Sequence, residues 1–345
     1  MSGWEPDVLG GYWQCKFALG PDPDGEGTLE ATLIRRGVPD PSADCAVLMV
    51  HGFTDYFFNT ELADRFAARG IAPYALDLHK CGRSYRDGQT PHFTTNLARY
   101  DDELERALDK IAADCGTRVL IYGHSAGGLV VPLWLDRRRR AATAAKGVSG
   151  LILNSPWLDL HGHPILRMPA TSAAIRALAR LRKRTMVRQP TEGGYGATLH
   201  RDYHGDFDYD LTWKPIGGFP VTFGWINAIR RGQVRLHRGL DVGVPNLILR
   251  SDRSVSEVGD LTDVEEIERI QRGDAVLDVA QIARWAGCIG NRTTITPIAD
   301  AKHDVFLSVP EPRRQAYAEL DRWLDWYLTE SPTTPTQSDG SDEDG

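Results

Sequence analysis

The sequence predicts an α/β fold, with a mostly parallel central sheet, helices on both faces and one inserted helical segment. Three observations carry this. Short apolar runs alternate with amphipathic stretches of helical spacing, the rhythm of repeated strand–helix–strand units. One run, CAVLMV (45–50), is apolar over consecutive residues, as expected of a strand buried on both faces, and RVLIYG (118–123) reads as a strand through its apolar stretch Val119–Tyr122. The alternation then stops after Trp157 and resumes only at VPNLILRS (244–251).

In chain order, GYWQCKFALG and GTLEATLIRRG read as two strands flanking the turn PDPDGEG. After the strand CAVLMV comes TELADRFAARG, a helix with a terminal glycine, and then the strand IAPYALDL. LARYDDELERALDKIAADCG is an amphipathic helix closed by Gly116, followed by the strand RVLIYG, a helix over AGGLVVPLWLDRRR and the strand GLILNSPW. Residues 160–240 are rich in Arg, His, Tyr, Gly and Trp; they contain helical stretches (ATSAAIRALARLRKR, GWINAIRRGQVRLHRGL) but no clear buried strand. The strand VPNLILRS, a polar helical insertion, the helix LDVAQIARWAGCIG, the strand TTITPIA and the helix EPRRQAYAELDRWLDWYL complete the pattern. The expected division is a core in two parts, 1–159 and 241–330, a cap or lid over 160–240, and a disordered acidic tail over 331–345.

Composition narrows the class. Apolar residues make up 41% and charged residues 25%, the balance of a soluble globular protein. No run approaches the ~20 apolar residues of a spanning helix, and the N-terminus lacks the basic and apolar regions of a signal peptide. Integral membrane association is therefore not expected. The five cysteines are scattered, with no Cys-x-x-Cys pair, which points to free buried thiols in a reducing cytoplasm. The net charge of −7, to which Asp339, Asp342, Glu343 and Asp344 contribute, argues against a nucleic-acid partner. The run Arg137–Arg140 reads as a solvated helix C-terminus, where cations suit the dipole. The pairs His161/His163 and His200/His204 have ligand-like spacing, but no cysteine or carboxylate set completes a site. No metal and no cofactor are expected.

One stretch demands a chemical explanation. In LIYGHSAGGLVVP a buried strand ends in Gly123-His124-Ser125-Ala126-Gly127 and a helix follows. This is the strand–turn–helix context of a nucleophile elbow: the serine sits on a tight, strained turn, and the small flanking residues avoid collision. A serine needs a base and a group that orients the base. Of ten histidines, only His303 follows the last predicted strand, where a loop would carry it above Ser125. The orienting acid should follow VPNLILRS, and Asp252, Asp274 and Asp278 all qualify, although each could instead cap a helix. The loop VHGFTDYF supplies the backbone N–H of Phe53, which with that of Ala126 would form an oxyanion hole.

At these residues the sequence resembles the α/β-hydrolase superfamily, in the branch of monoacylglycerol lipases, lysophospholipases and serine aminopeptidases. VHGFTDY is similar to the family's oxyanion loop, LDLHKCGRS to its Asp-x-x-Gly-x-Gly-x-Ser loop (with Cys81 a departure), GHSAGG to its elbow, and DAVLDVAQI with AKHDVFLS to its acid and histidine loops. The resemblance spans about residues 10–330. It implies Ser125 as nucleophile, His303 as base, Asp274 as acid, and Phe53 and Ala126 as oxyanion donors. The stretch 253–273 inserted before Asp274 leaves Asp252 as the competing acid.

The resemblance implies acyl transfer to water through an acyl-enzyme on Ser125, with a small-molecule ester, lipid-derived or small, as partner. Trp213, Phe219, Phe223, Trp225, Ile226 and Ile229 could cover an acyl chain or simply pack the inserted segment. Two other readings remain: an aminopeptidase using Glu192, Asp206, Asp208 or Asp210 to hold the substrate amine, and a non-catalytic scaffold.

Overall fold

The computed structural model describes residues 3–330, apart from 39–40, 42, 116–117, 142–146, 163, 190–192 and 257–261. Gly116, His163, Glu192 and the acidic tail lie outside the described residues.

The central sheet has nine strands: β1 (Glu5–Pro6), β2 (Tyr12–Pro21), β3 (Thr28–Arg36), β4 (Cys45–Val50), β5 (Ile71–Asp77), β6 (Arg118–His124), β7 (Val148–Asn154), β10 (Asn246–Ser251) and β11 (Thr293–Ile298). A small second sheet pairs β8 (Met186–Arg188) with β9 (Val221–Thr222). The order in the large sheet is β1-β2-β3-β5-β4-β6-β7-β10-β11. Pairings from β5 through β11 are parallel, and only those among β1, β2, β3 and β5 are antiparallel. The mostly parallel sheet expected from the sequence is therefore present.

Consecutive apolar residues are needed because both faces are covered. Leu48 and Val50 of β4 and Ile121 of β6 pack with α2 (Tyr100–Asp114) and α3 (Gly127–Arg140). Val47, Met49, Leu120 and Tyr122 point the other way, into a second core with α1 (Thr60–Ala67) and the long α9 (Pro310–Glu330). Successive residues of a strand face opposite sides, so these runs can spare no polar position. The parallel strands end along one edge, where a site in such a sheet is expected.

Between β7 and β10, residues 160–240 contribute α4 (Pro169–Leu181), the four-residue α5 (Gly194–Ala197) and α6 (Phe223–Leu236), together with the β8–β9 pair. All three residues of β8 are exposed, so no buried run announces that strand in the sequence. The insertion after β10 carries α7 (Val264–Gln271) and leads to α8 (Val279–Trp285). No helix among the described residues is long and apolar enough to cross a membrane.

Two charged stretches differ from the sequence expectation. Arg137–Arg140 is not simply solvated. Arg137 pairs with Asp101 (2.6 Å), Arg138 with Glu105 (2.9 Å), Arg139 with Asp241 (2.5 Å) and Arg140 with Asp136. The turn between β2 and β3 is more than a reversal. Its Asp22 and Glu26 both accept from the buried Lys80 Nζ at 2.7 Å, and Asp24 takes Arg99, Thr95 and Lys183. Buried carboxylates need such partners, because an unpaired charge out of water is costly.

Candidate active site

β6 delivers Ser125 to the sheet edge. Ser125 has φ +52°, a left-handed conformation that is strained for a residue with a side chain. Its surroundings hold it there: the Ser125 N–H donates to Asn154 O (3.0 Å), and Ser125 O accepts from the Trp157 N–H (2.9 Å). The elbow glycines are required by space. A Cβ on Gly127 would lie 2.4 Å from His51 O, and one on Gly123 would lie 2.8 Å from Val131 Cγ2. This close approach brings the end of β4 against the head of α3, the two elements next to the proposed donors. The N–H of Phe53, just past β4, and that of Ala126, at the head of α3, donate to no group among the described residues.

His303 lies in the loop after β11. Its Nδ1 is 2.9 Å from Asp274 Oδ2, and both side chains are buried. Asp274 is held in turn: its Oδ1 accepts from the N–H groups of Val276 (2.8 Å) and Leu277 (2.7 Å). The inserted stretch before it folds back on itself. Asp274 N–H donates to Arg253 O (3.0 Å) and Val255 N–H donates to Asp274 O (2.9 Å), so the chain leaves the end of β10 and returns to it with Asp274 in place. Asp252 meets other partners: its carboxylate accepts from the Arg253 guanidinium (2.8 Å) and the Asp300 N–H (3.0 Å). Asp278 caps α8 by accepting from the Ala280 N–H (3.0 Å). Of the three candidate acids, the structure brings only Asp274 to His303.

The other ring nitrogen of His303, Nε2, is buried and has no hydrogen-bond partner among the described residues. His303 and Ser125 line one cavity of about 460 Å³, a volume suited to a small-molecule ligand. Its walls mix apolar and polar groups: Phe53 and Trp157 from the core, Leu199, Ile216, Phe219 and Trp225 from residues 160–240, and Val255, Val276 and Leu277 from the later insertion stand beside Asp55, Arg188, Gln189, Lys214 and Asp278. Phe53 and Trp225 pack at a tilt, with ring centroids 4.1 Å apart. Of the other aromatic and aliphatic residues considered in that segment, Ile226 and Ile229 are buried in the core and Trp213 packs on Tyr56 (5.1 Å).

The model sequence of one protein family, described as serine aminopeptidase S33, matches residues 41–253, more than half of the chain. The chain belongs to that family. The match includes Ser125 and both proposed oxyanion donors and ends before Asp274 and His303. Solved structures agree on the fold of this α/β hydrolase. A monoglyceride lipase from Saccharomyces cerevisiae aligns at TM-score 0.60 and 16% identity, over 87% of this chain and 92% of that one. A lipase in its open form aligns at 0.55 and 14%, over 91% and 99%. A bromoperoxidase from Bacillus anthracis aligns at 0.52 and 13%, over 92% and 100%. A search of curated proteins gives no significant match.

Several groups around the hydrolase's cavity were invisible to sequence reasoning. Asn154, at the end of β7, joins the two halves of the site. Its main-chain O accepts from Ser125 N–H, its Nδ2 donates to Asp304 Oδ1 (2.6 Å), and its Oδ1 accepts from Val305 N–H (3.2 Å). An amide ending the apolar run LILN was the only signal. His124 stacks obliquely on His303 (centroids 4.9 Å), and burial holds its pKa below the ordinary value. Lys214 reaches from the inserted segment to Asp55 Oδ1 (2.6 Å). Burial alone would raise the Asp55 carboxyl, but the Lys214 ammonium and the nearby imidazoles outweigh it and hold the pKa at about 2.

The carboxylates considered for binding an amine are placed elsewhere. Asp206, Asp208 and Asp210 do not line the cavity, and Asp208 pairs with Arg201 (3.0 Å). A histidine cluster exists, but not among the pairs singled out by spacing. Ligand atoms of His51, Cys81 and His92 lie within 4.8 Å of one another, all buried. His51 already uses both ring nitrogens, on Gly52 O (2.8 Å) and the Leu78 N–H (3.1 Å), so the trio reads as polar packing beneath the Phe53 loop. All five cysteines are free thiols.

Proposed function

We propose that the protein is a serine hydrolase of carboxylic esters, with Ser125 as nucleophile, His303 as general base, Asp274 as the orienting acid, and residues 160–240 as a cap over the acyl-binding cavity. The observation that carries this reading is the buried His303 Nδ1–Asp274 contact of 2.9 Å, which leaves Nε2 without a partner among the described residues, in a side chain that lines the same cavity as Ser125. Asp274 fixes the tautomer in which Nδ1 bears the proton, so that Nε2 is the acceptor. Ser125 Oγ adds to the ester carbonyl as its proton passes to Nε2. The tetrahedral oxyanion is held by the N–H groups of Phe53 and Ala126, each contributing about 3 kcal/mol to barrier lowering. His303 protonates the departing alcohol, and water repeats the sequence on the acyl-enzyme.

The aromatic and aliphatic side chains of the lining favour an acyl chain, and the two carboxylates on the wall are already engaged. Asp55, a carboxylate on the wall, is neutralised by Lys214, and Asp278 is engaged by the head of α8. An ester drawn from a lipid fits these walls, and the alkyl–aromatic surface of Phe53, Phe219 and Trp225 is the expected contact for its chain.

The test has two arms. A fluorophosphonate probe should label the wild-type protein and not Ser125→Ala; equal labelling of both sinks the nucleophile. p-Nitrophenyl esters of rising chain length, run beside aminoacyl anilides, should show turnover of the esters. Preferential cleavage of the anilides would replace the esterase reading with the aminopeptidase one.

A further inference from the structure

A second hollow, of about 580 Å³, lies between α4 and α6 and shares no lining residue with the cavity at Ser125. Four cations line it: Arg176, Arg180 and Lys183 from α4 and the turn after it, and Arg231 from α6. Arg176, Arg180 and Arg231 make no ion pair with any described carboxylate. The one acid on the wall, Asp24, is already taken by Arg99, Lys183 and the Thr95 N–H and hydroxyl.

The chain has 47 acidic side chains against 40 lysines and arginines, so acids are not scarce, and in the run Arg137–Arg140 each guanidinium has a carboxylate partner. Arg176 and Arg180 stand one turn apart on one face of α4, a spacing at which like charges repel. Arg231 faces them across the groove and adds to the repulsion. The groove continues along the helices: a smaller hollow shares Arg176, Asn227 and Arg231 and adds Arg238. A concave wall of unmatched guanidinium groups, with Asn227 in the same lining, has the chemistry of oxyanion recognition, since guanidinium forks bind phosphate in a bidentate manner.

We propose that the α4–α6 groove is a binding site for a phosphate-bearing anion, distinct from the proposed catalytic cavity. The phosphate belongs either to a free small molecule or to a lipid headgroup, and the groove chemistry is the same for both.

The test uses the full chain with two probes. Inorganic pyrophosphate is titrated by calorimetry, and vesicles of phosphatidylglycerol are compared with vesicles of phosphatidylcholine by co-sedimentation. Wild type should bind one of the anionic probes, more weakly as salt rises. Arg176→Glu/Arg231→Glu should lower that affinity at least tenfold, with turnover of a short soluble ester unchanged. The control Arg314→Glu/Arg322→Glu makes the same charge change at exposed positions of α9 and should bind as wild type. Pyrophosphate binding alone identifies a free phosphate ligand, and phosphatidylglycerol binding alone identifies a headgroup. If wild type binds neither probe, or the groove variant binds within twofold of wild type, or the α9 variant loses binding equally, the proposal is overturned.

Discussion

Asp252 and Asp274 began as rivals for one role, and the structure gives them opposite surroundings. Asp252 sits at the end of β10, with its side chain 29% exposed and salt-bridged to Arg253. Asp274 is fully buried, grips His303 and is itself gripped by two backbone N–H groups. Proximity to a strand end in sequence is therefore a poor guide to which carboxylate can orient an imidazole. What matters is whether the backbone presents the acid, dry and fixed, on the correct side of the ring.

The sharpest way to break that comparison is Asp274→Asn. An amide can hold the ring in the wrong tautomer, and kcat should fall by about 10⁴-fold; a loss smaller than tenfold in a folded variant would remove Asp274 from the triad. A smaller effect should follow from Asn154→Leu, which cuts the ties between the Ser125 elbow and the Asp304–Val305 loop. A displacement of about 1 Å at His303 should cost about 10²-fold in kcat, and an unchanged rate would show that Asp274 alone positions the ring.

Lys214→Met sharpens the contrast between a matched and an unmatched buried acid. It leaves Asp55 buried without its ammonium partner, and stability at pH 7 should fall by about 3 kcal/mol in denaturant titrations. The pH dependence has a definite sign. The Asp55 pKa in the folded protein, about 2, lies below its ordinary 3.8, so its stabilising contribution is present above that ordinary value and is lost as pH falls through 2. In Lys214→Met burial dominates and raises the carboxyl, so acid unfolding should begin at higher pH than in wild type; coincident acid-unfolding curves would contradict this. The smallest effect belongs to Asp252→Asn. Its loss should change kcat by no more than about twofold, in line with surface substitutions that disturb little, and a loss rivalling that of Asp274→Asn would reverse the assignment of the acid.

The sheet was legible because its strands are locally encoded. CAVLMV and the stretch Val119–Tyr122 must be apolar throughout when two cores cover them, and the observed β4 and β6 fall on those runs. The elbow was legible for a related reason: Gly123 and Gly127 are dictated by contacts with immediate neighbours in the fold. The acid was ambiguous because the excursion over residues 253–273 closes through backbone hydrogen bonds at Arg253 and Val255, and sequence spacing does not record where a loop returns. Lys214–Asp55 and Asn154–Asp304 join residues 159 and 150 positions apart, and no local pattern marks either member. The β8–β9 pair went unseen because an exposed strand has no apolar signature.

The acidic turn between β2 and β3 reaches across the molecule. Besides Lys80 it holds Lys183 through Asp24 and Arg184 through Glu26, both just beyond α4. The far end of α4 is thus moored to the edge hairpin, whereas its near end follows a stretch with Ile165, Leu166 and Met168 open to solvent. Any displacement of this helix would pivot about the mooring, beginning at the end that follows those three side chains.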